Sequence, residues 1–264
     1  MPFLATAPAR AVCAEDIPPP PPLRALVVTI VAQDGFLDGL LAAAVRAGRI
    51  PPLELSTAHV REIPRRLAAE DFDLVIAHDH AGPPRRLAER GLLADGRVVF
   101  ANPLAVIGPA DDPAGVAGAP SLATAMARVA DAGRCWVIEQ QPRLAALQRP
   151  LLAGSAAPAC IVDQAGARGA AAVSLAHARG GYSVWGLHPF DRARPAGQRA
   201  FVIDEARLLS PLRAWRVTAS ARGEAVMAVL AELGAPATQA RLADFRLEGD
   251  ADNQAWWPAP ASDR

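Results

Sequence analysis

The chain is 264 residues long, 52% hydrophobic, with 27 basic residues against 27 acidic ones. That supplies a packed core for one large or two modest domains, and it excludes a disordered chain or a global field that recruits nucleic acid or an anionic membrane. Apart from the five His, every basic residue is arginine. Without a lysine, a Walker-type phosphate loop, a Schiff-base enzyme, a protein kinase and an S-x-x-K acyl enzyme are all excluded.

Residues 1–24 read as a tail. Met1 to Ala14 is small and apolar, and Val12-Cys13-Ala14 before Glu15 has the look of a small-residue cleavage site, yet Pro2, Pro8 and Arg10 interrupt the apolar run a secretory signal needs. Pro18 to Pro22 form a stiff extended spacer. Ala25 to Ile30 then reads as a strand, and Leu37, Leu40, Leu41, Ala44 and Val45 recur at helical spacing up to Gly48. Leu53 to Ser56 is a strand, Val60 to Glu70 a helix begun afresh at Pro64, and Leu74 to Ala77 a third strand. A helix, a second strand of this series and a strand through Asn102 and Pro103 to Pro109 follow.

A second series starts with a helix from about Ser121, whose hydroxyl can cap it, to Val129. Cys135 to Ile138, Cys160 to Val162, Tyr182 to Trp185, Ala200 to Ile203 and Leu212 to Thr218 read as strands. Arg143 to Leu152, Gly169 to Arg179 and Glu224 to Leu233 read as helices. Trp256 and Trp257 are costly to leave in water, so the tail is expected to lie back on the body. The longest apolar run, near Leu151 to Val162, is too short for a membrane span and carries Gly154 and Pro158.

Strands alternating with helices imply mainly parallel sheets flanked by helices. Two α/β series joined by extended passages near Ala101 to Ile107 and Phe201 to Arg216 imply two lobes around a cleft. The expected division is residues 25–103 with 204–264 as lobe 1 and 104–203 as lobe 2. Cys13, Cys135 and Cys160 lack C-x-x-C spacing, so no structural zinc is expected. Cys135 and Cys160 can pair in an oxidising compartment, although two buried free thiols are the favoured reading.

These features resemble the tungstate-binding components of bacterial ABC importers, within the type II periplasmic binding proteins. The resemblance lies in Asp73-Leu-Val-Ile-Ala-His78-Asp79, in Asn102 with Val106-Ile-Gly-Pro-Ala-Asp-Asp-Pro-Ala-Gly115, in Gly181-Tyr182-Ser183 and in Arg207-Leu-Leu-Ser-Pro211. It implies a two-lobed α/β solute-binding protein without catalysis or cofactor, periplasmic or secreted, monomeric, serving an ABC permease. Its implied ligand is a tungstate- or molybdate-like oxyanion. A repurposed accessory or sensory module acting through protein contacts is the alternative.

The ligand loops depart from the family pattern. Where the family has T-T-T-S-x-x-D-S-G, this chain has Val27-Val28-Thr29-Ile30-Val31-Ala32-Gln33-Asp34-Gly35, and where it has S-R-G-D-x-S-G-T, Ile138-Glu139-Gln140-Gln141-Pro142-Arg143-Leu144-Ala145. If Asp34 and Glu139 face the cleft, a carboxylate within about 4 Å opposes a bound dianion by roughly 1 to 4 kcal/mol. The expectation is therefore an altered anion site taking another small polar ligand. Its candidate residues are Thr29, Gln33, Asp34 and His78 in the first lobe and Glu139, Gln140, Arg143, Arg168 and Tyr182 in the second. Gly166, Arg168 and Gly169 before a helix read equally as an anion cradle or a helix-starting loop. His78, Asp79 and His80 suit zinc or nickel by type, but successive residues leaving a strand rarely converge on one ion, so no metal is expected. Asp111 and Asp112 beside Pro113 and Gly115 read as a turn. No G-x-S-x-G elbow occurs, which argues against a hydrolase.

Overall fold

The computed structural model describes residues 21–79, 82–152, 160–248 and 253–259. His80, the stretch Met1 to Ala14 and the Gly154 and Pro158 positions lie outside them. The first series forms β1 (Leu23–Val28), α1 (Phe36–Arg46), β2 (Leu53–Ala58), α2 (Ile63–Ala69), β3 (Leu74–His78), α3 (Pro83–Glu89) and β4 (Leu93–Pro109). The second forms α4 (Leu122–Asp131), β5 (Cys135–Val137), α5 (Pro142–Leu152), β6 (Cys160–Val162), α6 (Ala170–Ala178), β7 (Tyr182–Gly186), α7 (Leu187–Ala193) and β8 (Gln198–Val202). The chain returns through β9 (Leu209–Val217), α8 (Gly223–Gly234), α9 (Pro236–Arg241) and β10 (Trp257–Pro258).

Both halves follow from buried strand sequences that cannot leave amides unpaired. In β1, Leu23, Ala25, Leu26 and Val27 are inaccessible to solvent, and the strand pairs parallel with β2 and β3 on either side. β9 inserts antiparallel between β3 and β4, so the first sheet runs β2-β1-β3-β9-β4. In the second sheet β5 pairs parallel with β6 and β7, while β7 and β8 pair antiparallel with β4. The sheets are thus mixed: β2, β1 and β3 run parallel in the first and β6, β5 and β7 in the second, with β9 running against the first three and β4 against the second three.

β4 belongs to both sheets. It pairs with β9 up to Pro103↔Leu209 and with β7 from Leu104↔Gly186 onward. What reads as two strands is one strand of 17 residues, because the Asp95-Gly96 pair is absorbed as a bulge between Ala94 and Arg97. Gly96 is required there, since a Cβ would lie 2.4 Å from the Trp215 ring.

Alternation along β4 divides the core. Ala105 and Ile107 join a cluster that continues from the first sheet to Val173, Leu187 and Phe190, whereas Leu104 and Val106 face Leu122, Met126, Trp136 and Tyr182. The carboxyl-terminal segment seals the joint. Trp256 is fully buried, stacked on Phe36 at 4.1 Å and edge-on to Phe100 at 4.9 Å, while β10 pairs with β4 at Phe100 and Ala101. Ala255 donates its N–H to Phe245 O, and Asn253 Nδ2 reaches Ala200 O in β8, so residues 253–259 touch both sheets. The expected return of the tail is observed.

Cys135 and Cys160 are register partners on β5 and β6 and are joined by a disulfide. The favoured reading as free thiols is corrected: parallel neighbours on a narrow strand pair bring the two Cα atoms to 4.5 Å, within bridging range. Ser121 caps α4, accepting from Thr124 N at 3.1 Å, as its hydroxyl suggested. α7 was not legible, and it places two residues of the site described next.

Candidate functional site

A cleft of about 430 Å³ lies between the two sheets, at the carboxyl ends of β1, β2 and β3, where open α/β folds hold ligands. From the first half it is lined by Val28, Thr29, Ile30, Ala58, His59, Val60 and His78. Asn102, Leu104 and Ser210 form its floor on the crossing strands. Gln141, Arg143 and Leu144 at the start of α5, Trp185 and Gly186 at the end of β7, and Pro189 and Arg192 on α7 form the opposite wall. Among the described residues this lining contains two arginines, two histidines and no carboxylate.

Arg143 is the central polar group. Its guanidinium donates to Leu209 O at 2.7 Å, Arg207 O at 3.3 Å and Ser210 Oγ at 3.3 Å, so α5 reaches across to β9. All three partners are neutral oxygens. Burial alone pushes its pKa below the usual arginine value, as expected of a cation taken out of water without a counter-charge. The fork spends three of its five N–H groups on these bonds, which leaves donors for a ligand.

Of the residues singled out from the sequence, Thr29, His78 and Arg143 meet in this cleft. The others are held elsewhere. Asp34 is exposed, at φ 53 in a 3-10 turn that continues into α1, and Gln33 shares that turn. Glu139 is fully buried and accepts the Gln141 and Gly169 N–H groups, each at 2.7 Å, at the starts of α5 and α6. Burial raises its pKa, while those two amides and the charge of Arg168 oppose the rise. The suspected cradle at Gly166 to Gly169 is therefore filled by the chain's own carboxylate. Arg168 stands exposed beside it.

Gln140 turns outward to Asp163 Oδ1 at 2.6 Å and accepts from Arg149, itself paired with Asp163. Tyr182 is buried within the core of the second half and does not line the cleft. Its hydroxyl donates to Asp112 Oδ1 at 3.1 Å and accepts from Ala114 N–H at 3.2 Å, and burial pushes its pKa up to about 12. It secures the turn in which Asp112, at φ 46, also accepts from Val116 and Ala117, so the turn reading of these carboxylates holds. Asp79 leaves the cleft to form a two-bonded pair with Arg213, at 2.8 and 3.1 Å. The supposed opposition of Asp34 and Glu139 to an anion is corrected by these placements: neither lines the cleft.

Sequence reading missed His59, Val60, Trp185, Pro189, Arg192 and Ser210. His59 and Val60 follow β2 directly, and the strand-end rule applied to β2 as well as β3 would have found them. No group of three or more His, Cys, Asp or Glu among the described residues is placed to hold a metal ion.

The arrangement matches known structures. The tungstate-binding protein TupA from Desulfovibrio alaskensis superposes with a TM-score of 0.68 at 20% identity, over 91% of this chain and 100% of that one. This is the type II periplasmic-binding-protein fold. The tungstate ABC transporter structure from Geobacter sulfurreducens shares the binding-protein fold with a TM-score of 0.57 at 16% identity, over 84% of this chain and 98% of that one. In sequence, 72 residues are 44% identical to a Haloferax volcanii protein named as an ABC transporter anion-binding protein, a match that spans 25% of this chain and only 19% of that protein's length. No protein-family model matches the chain.

Proposed function

We propose that this protein is a non-catalytic solute-binding protein that closes two lobes over a small anion and presents it to an ABC permease. The observation that carries the reading is the cleft's charge: among the described residues, a half-buried Arg143 is bonded to neutral oxygens alone, in a lining without carboxylates. A buried cation in that state is stabilised by a ligand of opposite sign. The relatives named for tungstate and anion binding support the same class.

The lobes would be residues 25–103 with 204–264 and residues 104–203, the division favoured by the change of partners along β4 at Pro103 and Leu104. Thr29 and His78 would contact the ligand from the first and Arg143 from the second. The Cys135–Cys160 disulfide favours an oxidising, exported location. No helix among the described residues is long and apolar enough to cross a membrane. The protein would act as a monomer.

Titration calorimetry with a panel of inorganic and organic anions tests the reading. At least one anion should bind, with affinity falling as salt rises, and Arg143→Ala should weaken that binding at least tenfold while the variant still unfolds cooperatively, at a melting temperature lowered by the loss of its bonds to Arg207, Leu209 and Ser210. Salt-independent binding of neutral solutes alone would refute it.

A further inference from the structure

Resting on that reading of the cleft as an anion site, we infer that its ligand is a small organic monoanion with an apolar body, and not a bare tetraoxo dianion. Three observations point the same way. The first is the supply of donors. One amide at the start of α5 and one at the start of α6, those of Gln141 and Gly169, are taken by the two carboxylate oxygens of Glu139, Oε2 and Oε1, each at 2.7 Å. Those two amides are therefore taken from any ligand, and the charged donors the second half presents to the cleft are the side chains of Arg143 and Arg192. A carboxylate head, with two oxygens in one plane, matches the remaining N–H groups of a guanidinium.

The second observation is the wall. Ile30 and Val60 on the first side face a cleft whose other side is built by Leu104, Leu144, Trp185 and Pro189. Closing such walls over a bare dianion removes apolar surface from water only by also stripping the ion, whereas an apolar body between them gains from the same closure. The third is size. At about 30 Å³ for each water-sized unit, a tetraoxo anion occupies about 150 Å³, a minor part of the cleft of about 430 Å³. Pockets of this volume with a few convergent polar groups suit small organic molecules. The head would sit on Arg143 near Ser210, with the body along Leu104, Leu144 and Trp185.

The full chain is titrated with acetate, isovalerate, phenylacetate, neutral phenylacetamide, tungstate and molybdate. Affinity is expected to rise along the carboxylate series by about fourfold for each buried methylene, with phenylacetamide at least tenfold weaker than phenylacetate. Arg143→Ala should lose the preference for phenylacetate over its amide. Val60→Thr, an uncharged change of similar shape on a partly buried wall, should weaken phenylacetate more than acetate. The wild-type series decides the ligand class without either variant. Tungstate or molybdate binding tighter than every carboxylate, or a carboxylate affinity independent of body size, overturns the inference and leaves the anion-cleft reading intact. Failure of all the anions to bind overturns both.

Discussion

Glu139 gives the most direct test of how the second half is held together. Replacing it with alanine removes the acceptor of two amide N–H groups, those of Gln141 and Gly169. Both bonds are only part-buried, so water replaces some of what is lost, and Glu139→Ala should destabilise by about 1–3 kcal/mol in all. Glu139→Gln keeps one carbonyl oxygen and the shape, and should cost roughly half as much. The two also separate by pH. Burial raises the folded pKa of Glu139 above its unfolded value. A group shifted in that direction adds stability that is fully present below the unfolded pKa and lost as pH rises through the folded one. The deficit of the Gln variant should therefore be larger near pH 4 than near pH 7. Urea unfolding of wild type and both variants at the two pH values measures this, and titrations common to all three cancel. An alanine variant within about 0.5 kcal/mol of wild type would refute the role assigned to this carboxylate.

Other outcomes follow from the same packing. Cys135→Ser or Cys160→Ser should lower stability by about 3.5 kcal/mol from chain entropy, given their separation of 25 residues, and a reductant should lower the melting temperature of wild type alone. Gly181→Ala puts a Cβ 2.4 Å from Cys135 O, a backbone atom that cannot step aside, and a loss of about 1–3 kcal/mol or more is expected in thermal melts. His188 is fully buried against Trp256 and Ala255 O, and burial lowers its pKa to about 4. Its neutral form stabilises the fold above the unfolded pKa near 6.5, and that contribution, on the order of 3 kcal/mol, is lost as pH falls towards 4. His188→Phe should flatten the difference in acid unfolding curves over that window.

The parts legible from sequence are those written by burial and by single side chains. The run at Cys160 to Val162 gives the strand bounds seen, and the Ser121 hydroxyl marks the start of α4. α7 escaped because Gly186 and Pro189 read as breakers, although a proline in the first turn of a helix costs no hydrogen bond. The joint at Asp95-Gly96 carries a hairpin's dipeptide, but the ring of Trp215, distant in sequence, holds it as a bulge. For the site, residue type was readable and partner was not. Asp79, Glu139 and Asp112 are all carboxylates near ligand-family motifs, and each is claimed by a group that only the fold supplies: Arg213, two helix-start amides and Tyr182. Arg143 was recognised as a cation, while its neutral partners on β9 required the crossing of α5 over the cleft.

The place of β9 within the first sheet has a consequence for how the chain acquires its shape. Its neighbours β3 and β4 are made long before it, and the whole second sheet intervenes in the sequence. Until Leu209 to Val217 arrive, those two strands present bare edges to each other across an empty slot, the condition under which strand exchange and aggregation begin. The second sheet, drawn from one uninterrupted stretch, closes with far shorter loops. Assembly is thus expected to run from the middle of the chain outward, with the first half waiting for the strand that joins β3 to β4.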